Sequence, residues 1–506
     1  MANPQPRRVL VIGGGVCGLV TLRNLVERGS FEKVELVERR DDVGGVWYLD
    51  EQQTPSPGPH WPSPAYPNLI GNVLPEFLSF SEAPFPEPSS TPHQPFPTLK
   101  ETHDYLRKFA DRYLEQGVIR LNTEVIKVEE LPERKGWTVV TKDWSSQEKD
   151  GNVVSSVWDA VVVCTGWYDE PLWPPTEGLD IVKEKGIATH AKWYRGPSQK
   201  YAGRRVLVIG NGNSSNDIAS HLAPLAQHPI YRSIRRHALR HFVSLPDSRI
   251  QDVAPVVRYS LQDNDKVTVE LKDGKLIEDI DIVFIGSGYT PNPSFIYVQD
   301  PHSSSSSSSL APLMSQIDTN APQPRRIPSL HRHILYAYNP SLAFIGSTMC
   351  FTPFTIADVS STWLTLAWMN QITYPSSSSA LLQFEKDRIA HIETQRAIEA
   401  EETGREPSSL FTYSALGSSE EDYAAGLKRE IVGVRPELGG VLPEWSEERR
   451  VYRQQMYALK YKSLEWLKLQ REENLKEKER NLLKQEGVKA GVVETVPVPA
   501  NGTVLY

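Results

Sequence analysis

The sequence predicts an α/β fold with two Rossmann-like dinucleotide-binding domains and extra C-terminal helices. Three observations point there. "RVLVIGGGVCG" (Arg8–Gly18) is an apolar strand that runs into a glycine-rich turn and a helix. "RVLVIGNGNSSND" (Arg205–Asp217) repeats that pattern. "DAVVVCTGW" (Asp159–Trp167) and "DIVFIGSGY" (Asp281–Tyr289) are near copies, each an acid, a buried strand and a glycine seven residues on. The chain therefore reads as two related halves, each with an opening and a returning strand.

The first opening strand leads into a helix over Cys17–Arg28 and an alternating strand over Lys33–Glu38. Pro55–Pro97 then holds thirteen of the 39 prolines, so no regular element fits there. Trp61, Tyr66, Phe77, Phe80, Phe85 and Phe96 are too many apolar groups for a solvated linker, and predict an irregular segment packed across a site. Leu99–Gln116 is helical, and "VVTKDW" and "KVTVEL" are meander strands. Ser303–Ser309 and Ser376–Ser379 read as surface loops. Glu447–Gln485 reads as helices packed through Met456, Leu459, Leu464 and Leu467.

Bulk properties narrow the function. A chain of 506 residues exceeds a single core. A net charge of −8 leaves no basic footprint for nucleic acid. Cys17, Cys164 and Cys350 are widely spaced with no CxxC, which favours a reducing compartment and speaks against a disulfide framework or a dithiol reductase. The apolar stretch Val9–Val20 holds Gly13–Gly15 and Gly18 and lacks a cleavage site, so it is a strand and turn and not a signal peptide. No apolar run spans a bilayer, and a cytoplasmic protein without a membrane tail is expected. The sequon at Asn501 is then accidental.

The turns carry the chemistry. Gly13-x-Gly15-x-x-Gly18 supplies a tight turn, a close approach to a pyrophosphate and close helix–strand packing. Gly14, Val16 and Cys17 complete that loop. The second loop comprises Gly210, Gly212, Asn213, Ser214, Ser215, Asn216 and Asp217. Ser215 replaces the third glycine, which a slightly wider helix–strand separation would accommodate. Ser214-x-x-Asp217 also fits a capping box, with Asp217 as a helix cap. Glu38 lies 25 residues after Gly13, and Arg235 lies 25 residues after Gly210. An acid there bonds ribose hydroxyls and repels a 2′-phosphate, whereas Arg235 with Ser233 and Arg236 accepts one. The first site is thus expected to bind FAD and the second NADPH; a solvated basic edge is the other reading of the arginines.

These residues resemble the flavin-containing monooxygenases from about residue 8 to about 370. "ERRDDVGGVW" matches an acid followed by Gly-Gly-x-Trp, here Glu38, Gly44, Gly45 and Trp47, with Val46 between. "YPNLIGNVLPEFLSF" resembles the segment whose asparagine lies beside the flavin, placing Gly71 and Asn72 there. "GIATHAKWY" matches most of a linker signature at Gly186, His190 and Tyr194, and "GNGNSSNDIA" resembles the NADPH loop. The sequence departs at Glu184 (Phe in the signature), at Gly71 (commonly Thr), and at Asp358 and Ser360 (often Glu and Gln). Trp193 stands one place before the position where Baeyer–Villiger relatives carry Trp.

The resemblance implies a first part of a discontinuous FAD domain over 1–170, an NADPH domain over 171–330, a return to the FAD domain with C-terminal helices over 331–480, and a tail over 481–506. It implies that NADPH reduces FAD and that the reduced flavin forms a C4a-hydroperoxide with molecular oxygen. A nitrogen or sulfur of a small-molecule substrate then attacks its distal oxygen. Asn72 is implied as the catalytic amide, Trp47 as a flavin-side packing residue, and His190 as the group ordering the linker. Ketone oxygenation of the Baeyer–Villiger type and a flavin-binding protein without turnover are the alternatives. The serine runs and proline-rich insert suggest specialised metabolism in a eukaryote.

Overall fold

The two glycine-rich turns follow the central strands of two separate sheets, the second parallel and the first parallel except for an antiparallel edge over Leu330–His331 and Leu335–Tyr336. The computed structural model describes residues 5–49, 59–87, 91–145, 151–236, 244–300, 309–318, 320–404, 406–408 and 410–490. In the first sheet Arg8–Ile12 lies between Lys33–Val37 and Ala160–Val163, all parallel, with Val9 opposite Ala160 and Ile12 opposite Val37. Leu342–Phe344 pairs parallel with Ala160–Val163, so the chain returns to this sheet after the second one has formed. The second sheet sets Arg205–Ile209 between Gln227–Ser233 and Ile282–Ile285, again parallel. Its edge strands are Ile250–Val253 and Ala188–His190.

The halves repeat each other in detail. Asp159 accepts from the backbone N–H groups of Arg7 and Arg8 at 2.8 and 2.9 Å, and Asp281 accepts from that of Arg205 at 2.8 Å. The two acids of the near-copy strands thus anchor the starts of the two central strands. A three-stranded antiparallel meander precedes each returning strand, Thr123–Glu130 to Asn152–Trp158 in one half and Val256–Leu261 to Leu276–Ile280 in the other.

The halves differ at the third glycine. A Cβ on Gly18 would lie 1.8 Å from the Gly13 carbonyl oxygen, so only glycine fits. Ser215 has room because Gly286 stands where the first half has Cys164. A Cβ on Gly286 would lie 2.0 Å from Ser215 Oγ, and that hydroxyl donates to the Ile209 carbonyl at 3.2 Å. The space comes from an exchange of small residues across the strand.

Helix Pro353–Trp368 is buried from Phe354 to Trp368 and packs on helix Val16–Arg28. Its hydroxyls are satisfied inside the helix: Ser361, Thr362 and Thr365 donate to carbonyls one turn back. Asp358 pairs with Arg23 at 2.9 Å and accepts from the Ser81 N–H at 2.7 Å, so this departure belongs to a structural ion pair. Truncating Asp358 would strand the buried Arg23 charge, at a cost of about 3–5 kcal/mol, whereas Asp358 has a second cation in Arg28 at 3.5 Å. Tyr66, Phe77, Phe80, Phe85 and Phe96 of the proline-rich segment are buried, as their number predicts.

Three expectations are corrected. Glu447–Ala490 is one helix, and its packed face is Arg453, Met456 and Ser463; Leu459 is exposed and Leu464 and Leu467 are only half-buried. Ser376–Ser379 is not simply a loop: Ser377 caps helix Ser378–Thr403, its hydroxyl accepting from the Ala380 N–H at 3.3 Å. Asp217 caps nothing, since helix Asn213–Leu222 starts at Gly212 without a side-chain cap. Ser303–Ser308 and the tail from 491 onward, including Asn501, lie outside the described residues. Among the described residues, no helix is long and apolar enough to cross a membrane.

Candidate functional site

Both turns open on one cavity of about 1400 Å³, larger than the roughly 300–1,000 Å³ typical of a drug-sized ligand. Gly13 and Gly210 take the same left-handed conformation, with φ of +106° and +104°. The Gly13 N–H donates to the Val37 carbonyl at 2.8 Å and the Gly210 N–H to the Ser233 carbonyl at 2.9 Å. A Cβ on either would strike the returning strand, 2.9 Å from the Cys164 oxygen or 2.7 Å from the Gly286 oxygen. The following helices begin at Gly15 and Gly212, neither with a side-chain cap nor with an acid in its first turn. Their amino ends are therefore positive and open, which is what a pyrophosphate requires.

On the first side Gly13, Gly15, Val16, Cys17, Glu38, Gly45, Val46, Trp47, Gly71 and Asn72 all line the cavity. Gly14 and Gly18 do not; Gly14 is buried and its N–H donates to Glu38 Oε2 at 2.6 Å. Glu38 Oε1 accepts from the Arg40 N–H at 3.0 Å, so each carboxylate oxygen has one partner and spare accepting capacity. Gly45 passes so close to Gly15 that a Cβ on it would lie 2.7 Å from Gly15 Cα. Trp47 is half-buried, with its ring 3.8 Å from where a Cβ on Gly71 would sit. Asn72 is exposed on the cavity with its amide unbonded among the described residues. Burial pushes the Cys17 thiol up to about 12, which rules it out as a thiolate nucleophile.

On the second side Gly210, Gly212, Asn213, Ser233, Arg235 and Arg236 line the cavity. Ser214 is exposed elsewhere and Ser215 is buried under the turn. Asn216 accepts from Arg232 at 2.8 Å and donates to the Asn211 carbonyl at 3.2 Å. Asp217 accepts from the Tyr66 hydroxyl, a contact that ties this helix to the proline-rich segment. The Ser233 hydroxyl is engaged by the Ala254 carbonyl and the Val256 N–H.

The equal spacing of Glu38 and Arg235 is corrected by one residue. Ile209 lies opposite Ser233 as Ile12 lies opposite Val37, and a register shift occurs between Arg205 and Leu207. Ile234 is therefore the counterpart of Glu38, and Arg235 follows it. Arg235 and Arg236 reach Glu406 Oε1 at 3.4 and 3.2 Å. Sequence reasoning could not find Glu406, about 170 residues away with no motif around it. Phe351, Tyr423, Met456 and Tyr457 also line the cavity and were missed for the same reason.

His190 ties the edge strand Ala188–His190 to the segment that follows the returning strand Ile282–Ile285. Its Nδ1 accepts from the Lys192 N–H at 3.1 Å, which leaves Nε2 to donate to the Gly288 carbonyl at 3.0 Å. Burial lowers it to about 4, so it is neutral and structural at neutral pH. Tyr194 is buried while Trp193 is exposed, and Glu184 is exposed at a helix end.

Residues 6–239 match the profile of the FMO-like family, described as flavin-binding monooxygenase-like. The flavin-containing monooxygenase FMO GS-OX-like 2 of Arabidopsis thaliana is 30% identical over 397 residues, covering 75% of this chain and 78% of that protein. Dimethylaniline monooxygenase [N-oxide-forming] 2 of Cavia porcellus is 33% identical over 223 residues, 43% of this chain and 38% of that one. The structure of S-allyl-L-cysteine S-oxygenase from Allium sativum superposes with a TM-score of 0.64 at 23% identity, over 89% of this chain and 98% of that chain.

Proposed function

The chain belongs to the flavin-binding monooxygenase-like family, and from that membership we propose that it uses FAD, NADPH and molecular oxygen to oxygenate a sulfur or nitrogen of a small molecule. The observation that carries the reading is the pair of like-shaped glycine turns on one cavity, with Glu38 beside the first and Arg235 and Arg236 beside the second. Bound FAD would supply the electron transfer from NADPH to oxygen and the oxygen transfer to the substrate.

The chain's own groups bind, orient and exclude water. The amino end of helix Val16–Arg28, with Gly13 and Gly15, would take the FAD pyrophosphate, and Glu38 the ribose hydroxyls. The amino end of helix Asn213–Leu222, with Gly210, Gly212 and Asn213, would take the second pyrophosphate. Arg235 and Arg236 would exchange Glu406 for a 2′-phosphate. Asn72 presents an amide to the first side of the cavity and would hydrogen-bond the flavin edge. Phe351, Phe354 and Met456 give the cavity apolar lining suited to an uncharged soft nucleophile and hostile to water. Relatives named for S-oxygenation and N-oxide formation support that substrate class.

The test is a visible spectrum of the purified protein, reduced by NADPH without oxygen and then mixed with air. A delay before the oxidised flavin spectrum returns, shortened by a thioether or tertiary amine with sulfoxide or N-oxide as product, is expected. Immediate reoxidation without oxygenated product, or no bound flavin, overturns the reading. Turnover of a ketone to an ester would assign the Baeyer–Villiger alternative instead.

A further inference from the structure

The cavity loop that carries Asn72 has few bonds of its own. Its Gly71 N–H donates to the Pro97 carbonyl at 2.8 Å, and Leu69 accepts from the Leu99 N–H at 2.9 Å. Its other face is held by the C-terminal helix, Glu447–Ala490, which lies outside the residues matched by the family profile. Lys460 Nζ donates to the Gly71 carbonyl at 2.7 Å. Met456 Sδ accepts from the Leu74 N–H at 3.3 Å. Met456 and Lys460 are four residues apart and so share one helix face. The residues before and after Asn72 are thus gripped by one turn of a distant helix.

Lys460 is suited to this. Its ammonium also sits 4.8 Å from the centroid of the Phe96 ring, and a partly buried ammonium needs such partners. One turn further, Ser463 donates to Gln94 Oε1 at 2.9 Å, which seats the helix on the same proline-rich segment. Beyond it, Arg471 Nη2 lies 3.3 Å from His221 Nε2, on the helix that follows the second glycine turn. The helix therefore crosses from the Asn72 loop to the second dinucleotide unit.

We propose that Lys460 is a positioning residue for the oxygenation site: its bond to the Gly71 carbonyl holds the Asn72 amide at the cavity. This rests on the flavin reading above. The experiment compares the full-length holoprotein with Lys460→Met and Lys460→Arg by hydrogen exchange and by the air-mixing spectrum. Lys460→Met is expected to speed exchange over residues 69–78 at least tenfold. It is also expected to shorten the delay before oxidised flavin returns several-fold, while the KM for NADPH stays within twofold. Lys460→Arg, which keeps a donor and a charge, is expected to restore both readouts. Unchanged exchange in Lys460→Met overturns the proposal, as does failure of Lys460→Arg to restore it. Should Lys460→Met unseat the helix, seen as lost protection over residues 447–470, Lys460→Gln is read by the same criteria. The exchange comparison is repeated on FAD-free protein. A wild type that takes up no FAD would sink the flavin reading, while the exchange difference would still report whether Lys460 fixes the loop.

Discussion

Gly286→Ala should destabilise the second dinucleotide unit, and Ser215→Gly should relieve it. Gly286 has no positive φ, so alanine fits the backbone there; the obstacle is space. The new methyl would sit 2.0 Å from Ser215 Oγ and 2.8 Å from the Ile209 oxygen, against roughly 3.5–4 Å for an ordinary contact. Overpacking of that kind costs about 1–3 kcal/mol. Ser215→Gly alone loses the bond to the Ile209 carbonyl, about 1 kcal/mol. It also places glycine in a helix, about 0.5–1 kcal/mol more. In the double variant the methyl occupies the space the hydroxymethyl leaves, which rebuilds the small–large order of Gly18 and Cys164. The two costs should then fall short of their sum by about 1–2 kcal/mol, within the range seen for residues in contact. Urea unfolding of the wild type, both single variants and the double variant measures this, with equal slopes as the check on comparability. Additivity within about 0.5 kcal/mol would refute the exchange argument.

Asn72→Ala should retain FAD yet shorten the delay before oxidised flavin returns after air mixing; an unchanged delay removes Asn72 from the mechanism. Arg235→Ala should raise the KM for NADPH about 10–150-fold with little effect on NADH, the equivalent of about 1.5–3 kcal/mol for a lost charge-assisted bond. Equal effects on both cofactors would sink the 2′-phosphate assignment. Glu406→Gln removes the carboxylate that competes for those arginines and should lower the KM for NADPH about two- to fivefold, the scale of an exposed ion pair. His190 is neutral in the fold down to about pH 4, whereas the unfolded chain takes up its proton near pH 6.5. Stability should therefore fall as pH drops through that window, by about 3 kcal/mol from this residue. Urea titrations of wild type and His190→Gln at pH 7 and pH 4.5 should show a smaller loss in the variant.

Both strand–turn–helix units were legible in the residues alone. Their glycines are required by backbone geometry that is local: a positive φ at Gly13 and Gly210, and the turn carbonyl of Gly13 too close to Gly18 for any side chain. The returning strands were legible too, because their acids bond the starts of the central strands and so recur at fixed spacing. The packed proline-rich segment was betrayed by its aromatics. Tertiary structure alone decided the rest. The pairing offset is 24 from Ile209 to Ser233 against 25 from Ile12 to Val37, which moved the counterpart of Glu38 from Arg235 to Ile234, since strand pairing is fixed by partners that a residue count does not see. Asp217 went to Tyr66 and not to a helix cap, because the helix starts at Gly212 and Asp217 falls beyond its first turn. Glu406 beside the arginines and Lys460 beneath the Asn72 loop are single side chains, brought in by packing from about 170 residues beyond the arginines and 389 residues beyond Gly71, and no local pattern announces them.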